Sequence, residues 1–360
     1  LRLGPDVFMN PEPPDQESPT KSWGVRLLKG AAIVLSLYFT WYFFTHTDFD
    51  WPRLSRQVRE AHGPFLVLGV VLLLARYAVW DWRFRLAVRR TLGQSSGVLL
   101  GFFVLLGSAA LNLITPTVRV IGGMMRARYF ARANGRPFGH LYGVVLYDQM
   151  AHHAVMILCT WITLIATSFA LGRNAFATAA LIALIATAAA LAIWSRRRGP
   201  YESNPIVRFL AKRAEKAGGK MQSVYAHGHE AVGVLVRLLS FGRLHAYAAV
   251  LGTAYFFVNA AAQWVMFLAM GAPVDPFVVI AVVALGTAAG TLTGTPGGIG
   301  TTEVAMMASY KLLGVDEVLS AAGILLYRGL HYATVLALGL PALAVLEWRG
   351  GGRKEEEVLP

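Results

Sequence analysis

Thr295-Pro296-Gly297-Gly298-Ile299-Gly300-Thr301-Thr302-Glu303 is a glycine-rich break between two strongly apolar runs. Residues 277–294 before it carry no charge. Residues 304–348 after it are nearly all apolar, with Glu303 and Arg328 set among hydrophobic neighbours. In hydrocarbon every backbone polar group needs a partner, so an irregular turn at that depth is wrapped in protein or lines a wet cavity. An acid beside such a break marks a functional site by default.

Composition places the break in a membrane. Hydrophobic residues make up 56 % of the chain and charged residues 15 %, and mean hydropathy is +0.51, far from a typical soluble protein. The expected fold class is therefore an all-α polytopic membrane protein. The net charge of +13 comes from Lys and Arg at the ends of apolar runs, where they set orientation and meet anionic headgroups. Without a basic soluble domain, that charge does not point to nucleic acid. The single cysteine, Cys159, lies inside an apolar run and allows no internal disulfide.

Residues 1–22, with Pro5, Pro11, Pro13, Pro14 and Pro19, read as a disordered N-terminal tail. The chain opens on Leu, so the stretch ahead of Met9 need not be physiological, and no cleavable signal peptide is expected. Apolar segments follow at 25–44, 64–80 (closed by Trp80, Trp82, Arg83, Arg85, Arg89 and Arg90), 97–114, 140–170 and 175–194. The third breaks at Thr115-Pro116 and continues as a helical pattern over 118–133 with Arg119, Arg126, Arg128 and Arg132. Residues 195–243 form a basic cytoplasmic region whose parts 206–217 and 224–239 have the pattern of amphipathic surface helices. The segment 244–270, a short turn at 271–276, the two runs flanking the opening break and a tail over 349–360 complete the chain.

Charge threads these pieces. The N-terminal flank, 82–96, 119–136, 195–243 and the tail are basic, whereas 271–276 has no Lys or Arg. If every run crossed fully, the Arg-rich 119–136 segment would lie outside. The conflict disappears if 97–133 is a re-entrant hairpin turning at Pro116 and 277–314 a second one turning at Pro296. Six full spans and two hairpins result, with both termini cytoplasmic; the alternative is eight conventional spans. The membrane halves 23–194 and 244–348 then repeat one another in opposite orientation, each with a Thr-Pro break followed by paired glycines, Gly122-Gly123 and Gly297-Gly298. Interrupted segments in corresponding places of two halves point to an inverted-repeat transporter with its site at the midplane. Arg53, Arg56 and Arg59 fall outside in this threading, at a spacing that puts them on one face of a surface helix.

The glycines of the second break let backbones approach and free N–H groups, and a helix starting near Gly300 presents its positive end to a phosphate or carboxylate. Pro296, Gly297, Gly298, Gly300 and Glu303 are therefore candidate substrate-binding residues, although Gly-Gly also serves tight helix packing. Arg328 is the obvious partner of Glu303, in a structural or a ligand-binding pair. Arg119 and Arg126 follow the first break and have the geometry to clamp a lipid phosphate, while Arg128, Arg132 and Arg136 fit the positive-inside pattern. Asp148 and His152 share a helix face, with Gln149 and His153 beside them. They suit a proton relay, an acid–base pair or a buried polar network, and too few ligands converge there for a metal. Asn259 and Gln263 are expected to bridge helices, and His227 and His229 to be solvated. No Ser-His-Asp order, nucleotide-binding glycine loop or cysteine cluster occurs, so neither metal nor cofactor is expected.

Asn112-Leu113-Ile114-Thr115-Pro116 with Gly122-Gly123 and Arg126, then Pro296-Gly297-Gly298-Ile299-Gly300 and Glu303 with Gly314 and Arg328, resembles the lysylphosphatidylglycerol synthase transmembrane, or flippase-like, family over about 25–348. The resemblance implies a membrane domain associated with moving lipids between leaflets of a bacterial or archaeal cytoplasmic membrane. In the synthases that domain is fused to a soluble aminoacyl-transfer domain. This chain looks like the stand-alone form, so making an aminoacyl lipid would need a partner lipid-modifying enzyme. Two departures bear on substrate identity: Met124 stands where an acid often follows the paired glycines, and Asp148 and His152 stand where the family tends to have Glu-Arg and a later Asp.

The expected function is transfer of a phosphate-bearing lipid across the bilayer, its headgroup held by Arg119, Arg126 or Arg328 between the two breaks. The alternatives are a membrane enzyme acting on a lipid-linked substrate through Asp148 and His152, and a lipid-binding scaffold for a partner enzyme.

Overall fold

Four helices are long and apolar enough to cross a bilayer: α2 (Gly63–Leu92), α5 (Phe138–Ala170), α9 (Gly242–Ala269) and the Glu317–Trp348 part of α12 (Glu317–Gly351). The computed structural model describes residues 50–93, 97–114, 120–172, 175, 177–186, 205–216, 219–293 and 300–351. Around the four long helices lie α1 (Trp51–Arg59), α3 (Val98–Ile114), α4 (Val120–Asn134), α6 (Ala177–Ala186), α7 (Pro205–Lys216), α8 (Gly219–Leu238), α10 (Pro276–Thr293) and α11 (Thr301–Leu312). No strand occurs among the described residues, and the protein is an all-α polytopic membrane protein. Several expectations fall outside the described residues: the tail over 1–22, the segment 25–44, both breaks at 115–119 and 294–299, Arg196-Arg197-Arg198 and the end of the C-terminal tail.

The long helices, and α3 and α10 beside them, present apolar side chains outward. Val67, Val71, Leu99, Ile157, Ile162, Val250 and Phe277 are all more than half exposed. In water such surfaces would associate; against lipid tails they cost nothing. What is turned inward mixes large apolar side chains such as Phe84, Leu106, Phe130 and Phe267 with buried polar groups and closely approached glycines, so shape and hydrogen bonds share the packing with apolar contact.

α2 lies along α9 and joins α3, α5 and α12. α3 packs on α4, α4 on α5, α10 on α11 and α11 on α12. Two crossed contacts tie the chain's halves together. α3 meets α12, where a Cβ at Gly339 would stand 2.6 Å from the Leu106 carbonyl oxygen, and α10 meets α5, where Thr160 Oγ1 donates to Ala284 O at 3.2 Å. Gly122 and Gly123 let α4 sit against two neighbours. Ser108 Oγ of α3 donates to Gly122 O at 2.7 Å, the Gly122 N–H donates to Asn112 Oδ1 at 3.1 Å, and a Cβ at Gly123 would be 2.9 Å from Gln149 Nε2 of α5.

Two helices differ from the sequence expectation, and a third agrees with it. α2 does not close at Trp80: it continues to Leu92 and ends at Gly93 in the left-handed region (φ 73), burying Arg83 and Asp81 instead of leaving them at an interface. Arg83 can be buried because α5 brings a carboxylate to it. α8, patterned as a surface helix, is covered by α5 and α7 along Ala231, Val234 and Leu238, and His227 on it is half-buried, edge-on to Phe138 at 5.8 Å. α1 does expose Arg53, Arg56 and Arg59, as their spacing suggested. Asp50 caps it by accepting the Arg53 N–H at 2.9 Å, and Arg53 reaches Asp316 at 3.3 Å.

Candidate functional site

Arg76, Trp80 and Arg83 follow one another at four- and three-residue steps in α2, so a helical repeat aligns them on one face. That face meets α5, and Asp148 sits at its centre. Asp148 Oδ2 accepts from Trp80 Nε1 at 2.8 Å and from Arg126 Nη1 of α4 at 3.1 Å; Oδ1 accepts from Arg83 Nε at 2.9 Å. Arg83 Nη1 lies 3.4 Å from His152 Nδ1. All four polar residues are buried, Arg126 to 1 % exposure. The Arg126 guanidinium also lies over the Phe84 ring at 4.6 Å and the Trp80 ring at 5.4 Å, and Trp80 stacks on His152 at 5.9 Å.

The charges here do not balance. Two guanidiniums share one carboxylate, since the neighbouring Asp81 is taken by Arg85 at 2.7 Å. Among the described residues, Arg83 Nη2 and Arg126 Nε have no hydrogen-bond partner. Beside them is a small cavity lined by Trp80, Ser108, Asn112, Gly123, Arg126, Gln149, His152 and His153. The space, about 10 Å³, has room for about one water, and the surplus buried positive charge beside it favours an anion that brings oxygens to the remaining donors.

The second cluster follows the second break. Gly300 takes φ 83 at the head of α11, a conformation that favours glycine, and places Glu303 in the first turn, at the positive end of the helix. Arg328 Nε donates to Glu303 Oε1 at 2.6 Å, and the guanidinium lies over Tyr332 at 5.0 Å. Glu303 and Arg328 are thus the pair that their placement in the sequence suggested.

A third cluster joins α2, α9 and α12. Arg76 Nη1 donates to Asn259 Oδ1 and to Tyr327 Oη, the latter at 3.0 Å, and Nη2 lies 2.9 Å from His331 Nε2. Tyr327 also donates to Asn259 at 2.5 Å. One turn along α9, Gln263 Nε2 donates to Tyr310 Oη of α11 at 3.1 Å. Asn259 and Gln263 do bridge helices.

Of the residues proposed from sequence, Arg126, Asp148, His152, Gln149 and His153 come together at the cavity, and Gly300, Glu303 and Arg328 form the second cluster. Arg119, Pro296, Gly297 and Gly298 lie outside the described residues. Sequence reasoning passed over Arg76, Trp80, Arg83, Tyr327 and His331. The signal was present, because two arginines and a tryptophan on one face of an apolar run are not what an interfacial flank requires.

The pattern of the family described as "Lysylphosphatidylglycerol synthase TM region" matches residues 30–339. Among similar proteins, a UPF0104 membrane protein of Methanothermobacter thermautotrophicus is 23 % identical over 301 residues, covering 81 % of this chain and 88 % of the relative. A UPF0104 membrane protein of Methanocaldococcus jannaschii is 20 % identical over 329 residues, covering 88 % of this chain and 94 % of the relative.

Proposed function

Because the chain belongs to the lysylphosphatidylglycerol synthase transmembrane family, we propose that it moves a phosphate-bearing lipid, a modified phospholipid or a polyprenyl-phosphate-linked lipid, between leaflets of the membrane it crosses. The carrying observation is the cavity beside Arg83, Arg126 and Asp148, where two buried guanidiniums meet one carboxylate and keep donors unspent. An arriving phosphate oxygen supplies the missing negative charge while the lipid's chains stay in the bilayer.

Helix pairings support two repeated halves. Exchanging α2 with α9, α3 with α10, α4 with α11 and α5 with α12 carries each principal contact among these eight helices into another. Contacts of α3 with α12 become those of α10 with α5, and α2 against α9 maps onto itself. Thr160 and Gly339, which make the crossed contacts, stand equally far from the starts of their helices. The ion pairs also correspond, with signs reversed: Arg126 of α4 to Asp148 of α5, Glu303 of α11 to Arg328 of α12. α4 and α11, 15 and 12 residues long, rise only about 18–23 Å at 1.5 Å per residue, short of a hydrocarbon core of about 30 Å. That length favours the re-entrant threading, with the breaks reaching inward from opposite faces and both termini in the cytoplasm. In this scheme each ion pair holds a return limb against the next span, and a phosphate competing for Arg126 or Arg328 loosens it.

The enzyme reading is less well supported, because both Asp148 oxygens already accept from Trp80, Arg83 and Arg126 and neither is left to take a substrate proton.

The test places purified full-length protein in liposomes of native lipid extract and follows outer-leaflet lipid with an impermeant headgroup reagent, class by class. Wild type is compared with Arg126→Gln, Glu303→Gln and Arg328→Ala, and mass spectrometry records any chemical change. Transport of one class, unchanged and lost in the variants, is the expected result. A modified lipid without transport would return the enzyme reading.

A further inference from the structure

Arg76 differs from every other buried arginine described here. It is 4 % exposed, yet none of its described contacts is a carboxylate: Asn259, Tyr327 and His331 through hydrogen bonds, and the faces of Tyr77 at 4.9 Å and Tyr255 at 5.4 Å. Among the described residues no carboxylate pairs with it, and its Nε has no hydrogen-bond partner. Arg83 and Arg126 share an acid, Arg85 has Asp81 and Arg328 has Glu303. A buried cation without a counter-ion is costly, and within a membrane such a group marks a pathway or a ligand site.

Its position gives it a use. Arg76 stands one helical turn from Trp80, which lines the cavity. Tyr255 touches both sides of that wall: it lies near Arg76, edge-on to Trp80 at 6.1 Å and edge-on to His152 at 5.0 Å. One aromatic layer therefore separates Arg76 from the Arg126 cavity. The residues around Arg76 come from α2, α9 and α12, helices of both halves, whereas the cavity is built from α2, α3, α4 and α5 of the first half alone.

Resting on the transport reading above, we propose that Arg76 is a second binding station for the same anionic phosphate group. The group is received at the Arg126 cavity and passes the Trp80–Tyr255 layer to Arg76, at the seam between the halves. There Arg76 Nε gains the hydrogen bond it lacks, and the Tyr327, His331 and Asn259 side chains rearrange theirs around the phosphate oxygens. A guanidinium suits this handover, since its fork binds two oxygens at once and its charge persists at any physiological pH.

The experiment is a thermal-unfolding titration of the detergent-solubilised full chain with three probes: short-chain phosphatidylglycerol, short-chain phosphatidylcholine and inorganic phosphate. Wild type, Arg126→Gln, Arg76→Gln and the double variant are compared. Phosphatidylglycerol is expected to stabilise wild type and, more weakly, Arg126→Gln. The double variant is expected to lose the remainder, with half-saturation about tenfold or more higher. Stabilisation by inorganic phosphate alone would assign the station to free phosphate rather than a lipid headgroup, and an equal response to phosphatidylcholine would remove its anion preference. If Arg76→Gln lowers the unfolding temperature but leaves the titration of Arg126→Gln unchanged, Arg76 is a structural bolt and the proposal is overturned. Should Arg76→Gln not fold, Arg76→Lys keeps the charge without the fork and is expected to weaken the same titration; an unaltered titration sinks the idea. The two proposals fail separately. Lipid transfer in liposomes with an Arg76-independent titration removes only the second station, whereas Arg76-dependent binding without transfer removes only transport.

Discussion

Arg126 of α4 and Asp148 of α5 meet at 3.1 Å with both side chains almost wholly buried, and Arg83 of α2 holds the other oxygen of the same carboxylate at 2.9 Å. One acid thus ties together three helices, and removing it has a different consequence from removing either base. Asp148→Asn leaves two buried guanidiniums facing each other. Taking one partner from a buried ion pair costs about 3–5 kcal/mol, and that loss is expected in reversible unfolding of the detergent-solubilised protein. Arg126→Gln leaves a balanced Arg83–Asp148 pair and is expected to cost clearly less. Equal losses would mean that the second arginine is fully neutralised by some other group.

The paired glycines at the head of α4 are a packing device that can be tested apart from charge. A Cβ at Gly122 would collide with the Ser108 carbonyl oxygen, a backbone atom with little room to retreat, whereas one at Gly97 meets nothing within 4 Å. Gly122→Ala is expected to destabilise by about 1–3 kcal/mol, and Gly97→Ala to change stability by less than about 0.5 kcal/mol. Unfolding temperatures of the two variants, measured side by side, check this.

Gly300 presents a backbone problem rather than a steric one. Its φ of 83 is where side chains other than glycine are strained by about 1–3 kcal/mol. Gly300→Ala is expected to lower stability within that range. It should also impair lipid transfer, because the residue aims the first turn of α11, and with it Glu303, at Arg328. Transfer rates at wild-type level in this variant would separate the backbone strain from the site.

Outside the spans, burial raises the Glu230 carboxyl above its ordinary 4.5, with His227 and the His140 contact opposing the shift. A raised acid contributes stability that is fully present below its unfolded value and is lost as pH climbs through the folded one. Glu230→Gln, which removes that loss, is therefore expected to be more stable than wild type near neutral pH and to lose its advantage as the pH approaches about 4. An unfolding-temperature profile across that interval reads the sign directly.

The membrane class, the long helices and the Glu303–Arg328 pair were all legible in the chain itself. Hydrophobic run length and the placement of charges are one-dimensional quantities, and an acid and a base isolated in neighbouring apolar runs have few other partners to find. The paired glycines Gly122-Gly123 were visible in the sequence, but not that Ser108, Asn112 and Gln149 are what they approach. The Arg83–Arg126–Asp148 cluster needed the fold, since its members come from three helices and each alone reads as something separate: a flank, a phosphate clamp beside the first break, half of an acid–histidine pair. Arg83 looked interfacial because hydropathy averages along one helix, whereas its burial depends on Asp148 facing it from another. Arg76 was the least legible. Its lack of a counter-ion among the described residues is a property of everything around it, and only the crossing of α2, α9 and α12 decided that Asn259, Tyr327 and His331, and no described acid, meet that charge.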